Sequence, residues 1–227
     1  DVYKRQLSTQ YHVFSDASEL AYGAVIYQVT HYKKGEPTVR IVLAKGRVAP
    51  LAGMTIPRLE LQGALLGVQL ANKVKDIFKL DSIKADAEES WTFWSDSSVV
   101  ICWVKSDKPE ERLKKYVANR VKKILEATDP CQWRHVPGEQ NPADCISRGR
   151  YSVDDLLSTL LYWFGPRFLY LSPELWPGEV VEYTPDEEAK KEMKVEKQPK
   201  PPSLAEAVQE GTGRSPPIVD IRRKDIQ

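Results

Sequence analysis

The chain has 227 residues, 41% of them hydrophobic and 29% charged, which is ordinary for a globular protein with one sizeable core and appendages. A formal net charge of +1 gives no global field for a polyanion, so any basic surface must be local. Cys102, Cys131 and Cys145 are odd in number and lack C-x-x-C spacing, which excludes a disulfide framework or zinc knuckle and suits reduced intracellular thiols. No apolar run approaches the length of a membrane span and no signal peptide is visible, so no membrane partner is expected. Asp1 rather than Met at the first position suggests a fragment or a piece of a polyprotein. "DVYKRQ" joins poorly to the strand-like run after it, and residues 1–7 are expected to be a non-native or disordered leader.

"YHVFSDAS" (11–18) reads as a short strand ending in Asp16, and "GAVIYQVT" (23–30) as a second, β-branched and apolar. After the polar turn at Lys33–Glu36, "TVRIVLAKGRV" (38–48) supplies a third, and the short connections predict an antiparallel meander. The period then changes. Pro57 suits a first helical turn, and Leu61, Leu65, Val68, Val74 and Phe78 come after it at helical spacing. Gly63, Ala64 and Gly67 make a small-residue stripe that would let this helix lie close on a sheet. "WTFWSD" (91–96) is a fourth strand, again ending in Asp, with Ser97 and Ser98 placed to cap a short helix. "PEERLKKYVANRVKKILEA" (109–127) predicts one amphipathic helix, acidic at its start and basic at its end. "CQWRHV" (131–136) is a fifth strand, and Asn141-Pro142 opens a last short helix carrying Asp144.

The resulting order, β-β-β-α-β-α-α-β-α, implies one mixed sheet with helices on both faces. The domain is expected to span 8–150. Residues 151–178 are read as an apolar helix and aromatic arm packed on it. Residues 179–227, rich in Lys, Glu and Pro, are read as a disordered linker.

Asp16, Glu60, Asp96 and Asp144 fall at strand ends and helix starts. Each alone has an ordinary explanation as a surface acid or a helix-start residue. Together, in the order D…E…D…D on this frame, they could meet on one side of the sheet. The motifs "FSDASELAYGAVIY" (14–27), "IPRLELQGALLG" (56–67), "FWSDSSVVICWV" (93–104), "YVANRVKKI" (116–124) and "WRHVPGEQNPADCISRG" (133–149) resemble the ribonuclease H domain of Bel/Pao-type LTR retrotransposon polyproteins. The likeness covers roughly 11–150 and extends loosely through "YWFGPRFLYLSPELWP" (162–177), similar to the segment leading toward integrase.

The resemblance implies a ribonuclease H-like five-stranded sheet with a C-terminal helical arm and a disordered tail. It implies hydrolysis of the RNA strand of RNA/DNA hybrids during reverse transcription. Asp16, Glu60, Asp96 and Asp144 would be both catalytic residues and ligands of two Mg2+ ions, with Mn2+ as a substitute. In such a site Asp16 bridges, Glu60 and Asp96 complete one ion, and Asp144 holds the other; two ions about 3.5–4 Å apart clamp the attacking and leaving oxygens. Without metal, acids this close should repel and some of their pKa values should rise. Polymerase and integrase regions of the same polyprotein are the implied partners, in a cytoplasmic virus-like particle or the nucleus. The chain departs from many cellular relatives in its short loop before Asp144, which holds no histidine. His135 lies earlier, on the strand, and is expected to be structural or half-buried and to point away from the site or into the sheet.

For the hybrid itself, positive charge gathers around 109–127. Arg112, Lys115 and Arg120 are candidate phosphate contacts, and Ser18 and Ser97 candidate readers of the ribose. Trp91, Trp94 and Trp103 are expected in the core. An aspartic protease dyad would need Asp-Ser/Thr-Gly at both Asp16 and Asp96, and neither has it. An integrase core lacks here its His/Cys zinc signature. A catalytically weak nucleic-acid-binding module remains the alternative, separable by magnesium-dependent hybrid cleavage.

Overall fold

The computed structural model describes residues 6–85, 90–148, 152–178 and 187–194. All of these lie in one compact unit, Asp1–Lys194. The expectations for residues 1–5, 179–186 and 195–227 fall outside the described residues, while Gln6 and Leu7, read as the end of a leader, lie in a strand.

Strands β1 (Gln6–Ala17), β2 (Ala21–Tyr32) and β3 (Thr38–Val48) form the antiparallel meander. β4 (Ser90–Ser95) then pairs parallel to β1, and β5 (Trp133–His135) parallel to β4, giving the order β3-β2-β1-β4-β5. This is the mixed five-stranded sheet expected of a ribonuclease H-like fold. β1 begins earlier than its apolar run suggests, because pairing with β2 continues past the point where burial stops. Its centre is covered on both sides. Tyr11 and Val13 join one core with Trp91, Phe93 and Trp133, while Phe14 joins a second with Tyr27, Trp94 and Val136. Alternate side chains of one strand therefore anchor two separate layers.

The first layer is made by α1 (Ile56–Phe78), α2 (Ser98–Val104) and α4 (Lys115–Ala127). α1 approaches the sheet closely: a Cβ on Gly63 would sit 2.9 Å from the backbone oxygen of Asp16, and one on Gly67 would sit 3.0 Å from Val13. α1 ends at Lys79, whose left-handed backbone returns its N–H to the Lys75 carbonyl. The single helix expected over 109–127 is instead two, α3 (Pro109–Arg112) and α4, separated by extended Leu113 and Lys114. The extended backbone lets Leu113 bury completely in the first core, worth roughly 2 kcal/mol, and leaves the Lys114 N–H free to bond another segment.

The second layer contains α5 (Asp144–Ser147) and the arm. In place of one apolar helix, the arm has two short ones, α6 (Val153–Ser158) and α7 (Leu160–Phe164), parted by extended Thr159. Beyond them Phe168 and Leu169 bury against Tyr27, Trp94 and Phe14, and Trp176 meets His12 and Trp94 edge-on. Residues 187–194, read from sequence as disordered linker, are ordered against the domain: α8 (Glu187–Lys191) buries Ala189 in the first core, and Met193 bridges to Leu113. Sequence periodicity missed this because only one apolar side chain anchors the helix. No helix among the described residues is long and apolar enough to cross a membrane.

Candidate active site

Asp16 and Asp96 are placed by strand register. Ser15 pairs with Ser95 across the parallel β1–β4 ladder, so the next residue of each strand emerges at the same end of the sheet. Asp16 is 7% exposed and Asp96 half-buried. The two carboxyls act on one another, and the pKa of each is raised above the ordinary carboxylate range. Burial first, then the Asp96 charge, pushes Asp16 up to about 7. Asp96 is also raised, by burial and then by the charge of Glu60. The expected mutual repulsion of these acids is thus present.

Glu60 lies in the second turn of α1 rather than the first, because the helix starts at Ile56. The Ser97 hydroxyl donates to its Oε2 at 2.5 Å and accepts from the Val100 N–H, so one side chain both caps α2 and holds Glu60. Asp144 opens α5 as expected and adds its charge to Asp16 from the other side. It also forms an ion pair with Arg148 one turn later. The structure therefore brings Asp16 and Asp96 into contact, with Glu60 acting on Asp96 and Asp144 on Asp16.

Two residues in the same motif were not singled out from the sequence. Ser147, fully buried, donates its hydroxyl to Asp16 Oδ2, while its carbonyl accepts from Ser18 Oγ at 2.6 Å. Asn141, also fully buried, donates to the Ser15 carbonyl at 3.0 Å, accepts from the Ala143 N–H, and bonds the Asp96 side chain. The three-residue spacing of Asp144 and Ser147, one helical turn, was the available signal. His135 does not point away from the site: its Nε2 lies 3.1 Å from the Asp96 backbone oxygen, beside the acids but bonded to main chain.

Among the described residues, no three or more His, Cys, Asp or Glu are gathered closely enough to hold a metal ion together. The donor set does suit a hard cation. It is all oxygen and set round buried Asp16, and magnesium characteristically keeps several waters beside one or two carboxylates. Of the residues considered for nucleic acid, Arg112 and Lys115 are exposed. Arg120 lies over the Tyr116 ring at 3.4 Å and donates to the Tyr116 carbonyl. Ser18 accepts from the Leu20 and Ala21 N–H groups in the β1–β2 turn, and Ser97 is held by Glu60.

Residues 2–97 match the family model of the Pao retrotransposon-like RNaseH-like domain, which bears out the resemblance over that part of the chain. No curated protein matches. Among solved structures, the chain is similar to the N-terminal RNase H domain of Rv2228c from Mycobacterium tuberculosis, at 15% identity and TM-score 0.41, over 62% of this chain and 92% of that one. It is similar to RNase H1 of Halobacterium salinarum NRC-1, at 15% identity and TM-score 0.36, over 63% and 96%. It is also similar to LC11-RNase H1 in complex with an RNA/DNA hybrid, at 16% identity and TM-score 0.38, over 66% and 100%.

Proposed function

We propose that this ribonuclease H-like domain is a magnesium-dependent endonuclease that hydrolyses the RNA strand of RNA/DNA hybrids, as part of a retrotransposon polyprotein that also carries polymerase and integrase regions. The observation that carries the reading is that the parallel β1–β4 register brings Asp16 and Asp96 out at one end of the sheet, where Ser147 holds Asp16 and Asn141 holds the end of β1, with Glu60 and Asp144 adding their charge. Carboxylates placed so that they raise one another's pKa values repel, and a divalent cation relieves that repulsion.

In this reading Asp16, Glu60, Asp96 and Asp144 hold Mg2+, or Mn2+ in its place. The bound cations would polarise the scissile phosphodiester and make a nucleophile of water near neutral pH. The rest is done by the chain. Ser147 aims Asp16, Ser97 aims Glu60, and Asn141 ties both strand ends to α5, so the acids do not reorganise when substrate arrives. Arg112 and Lys115 offer exposed charge for phosphates, and Arg120, half-buried over Tyr116, adds to it.

The second reading, a nucleic-acid-binding module with weak catalysis, is favoured by one observation: Asp144 is already neutralised by Arg148. Single-turnover cleavage of a labelled hybrid by the full chain, with and without magnesium, separates the two. The hydrolase reading expects metal-dependent cutting of the RNA strand, abolished by Asp16→Asn. Binding without cutting would support the module.

A further inference from the structure

We infer that residues 187–194 form a strap whose Glu192 carboxylate occupies a phosphate site built on Arg58, and that this site takes a backbone phosphate of the nucleic acid when the strap lifts. The inference rests on the reading of the chain as a hybrid-binding domain.

Arg58 Nε donates to Glu192 Oε1 at 2.7 Å and Nη2 donates to Oε2 at 3.0 Å. Two parallel bonds from one guanidinium are the fork that fits a carboxylate and a phosphate equally well. More than one cation is gathered here. Arg58 and Arg120 both lie over the Tyr116 ring, at 4.6 and 3.4 Å from its centroid. Exposed Arg112 and Lys114 bond the strap through their backbones. Arg58 also sits two residues before Glu60 in α1, so a phosphate held there would lie on the same helix end as the candidate active site.

The strap uses the backbone of the segment proposed to touch the duplex. The Lys114 N–H donates to the Glu192 carbonyl at 2.8 Å, the Lys194 N–H donates to the Arg112 carbonyl at 2.7 Å, and Lys194 Nζ donates to the Glu110 carbonyl at 2.6 Å. Buried Glu192 takes the Nε–Nη2 edge of Arg58, so a phosphate cannot use that edge while the strap is in place. Of these attachments, the Arg58 guanidinium and the Lys114 N–H are donors on the domain for which a polyanion competes, whereas the Lys194 bonds are donated by the strap itself. The strap therefore acts as an internal competitor for nucleic acid.

The test is fluorescence anisotropy of a labelled RNA/DNA hybrid with the full chain, without divalent metal so that nothing is cut. Glu192→Ala should tighten binding several-fold and steepen its salt dependence by about one phosphate contact. Glu111→Gln removes the same charge from an exposed neighbour paired with Lys108, away from Arg58, and should change little. Arg58→Ala added to Glu192→Ala should abolish the gain. Circular dichroism checks folding, and Glu192→Gln, which keeps the side chain's shape, replaces Glu192→Ala if the latter unfolds. The inference is overturned if the folded Glu192 variant binds no tighter than Glu111→Gln, or if the gain survives loss of Arg58. A chain that binds more tightly on Glu192→Ala but cuts nothing with magnesium retains this inference and loses the hydrolase reading. A chain that cuts, with binding unmoved by Glu192→Ala, loses this inference alone.

Discussion

Asp16 gathers the energetic consequences of the site into one side chain. Its carboxyl is pushed up to about 7 by burial and by Asp96, above the unfolded value of about 4. A raised pKa means the fold favours the protonated form. The contribution to stability is present below the unfolded pKa and is lost as pH rises through about 7. His12 works on the opposite limb. Burial lowers its pKa to about 3, so its contribution is present above the ordinary histidine value near 6.5 and is lost as pH falls toward 3. Without divalent ions, thermal unfolding should therefore show a lower melting temperature at pH 8 than at pH 6. Asp16→Asn should flatten that decline while abolishing hybrid cleavage, and magnesium should raise the wild-type melting temperature more at pH 8 than at pH 5. A magnesium effect of equal size in Asp16→Asn would remove Asp16 from the metal site. His135 invites a second experiment at this scale. Its bond to the Asp96 carbonyl steadies the strand end, and general acid–base help is worth about 10²–10⁴-fold only when the group reaches the reacting proton. His135→Ala should cost about tenfold or less in single-turnover cleavage, against a much larger loss for Asp96→Asn. Equal losses in folded proteins would give His135 a chemical role.

Among the elements, α1 and β1 set the site's precision. Gly63 allows the helix to lie on the Asp16 backbone, with a would-be Cβ only 2.9 Å from its oxygen. Backbone cannot swing aside as a side-chain tip can, so Gly63→Ala must move the helix or the strand. Overpacking of this kind typically costs about 1–3 kcal/mol. Gly63→Ala should lower the melting temperature and, because it displaces both Glu60 and Asp16, reduce hybrid cleavage beyond what the lost stability explains. An alanine variant with wild-type activity would show that the close approach serves packing alone. The break between α3 and α4 has a similar logic. A continuous helix would leave Leu113 less completely buried and deny the Lys114 N–H to Glu192.

For the whole molecule, the strap changes where the domain ends. We propose a boundary at Lys194, not near residue 150 or 178. A chain ended after Gly178 should melt several degrees below one ended after Lys194, since it loses buried Ala189 and leaves Arg58 and Leu113 without their partners. Equal melting temperatures, measured side by side, would make the strap an ornament on a fold complete without it.

The sequence by itself determined the succession of the five strands, the mixed sheet, and the four candidate acids, because alternation, helical period and end-of-strand aspartates are local signals. "NPADCIS" even contained Asn141 and Ser147, and the helical-turn spacing of Ser147 from Asp144 hinted at a shared face, but nothing local shows that this serine is buried against Asp16. The tertiary structure alone decided which acids lie together, why one helix became α3 and α4, and that a weakly apolar stretch near 190 belongs to the domain. Each of these depends on a partner far along the chain: Asp96 for Asp16, Glu192 for Lys114 and Arg58, Met193 for Leu113. Contacts between segments so distant in the chain leave no period to read, since each is selected by packing and charge only after the sheet has brought its ends together.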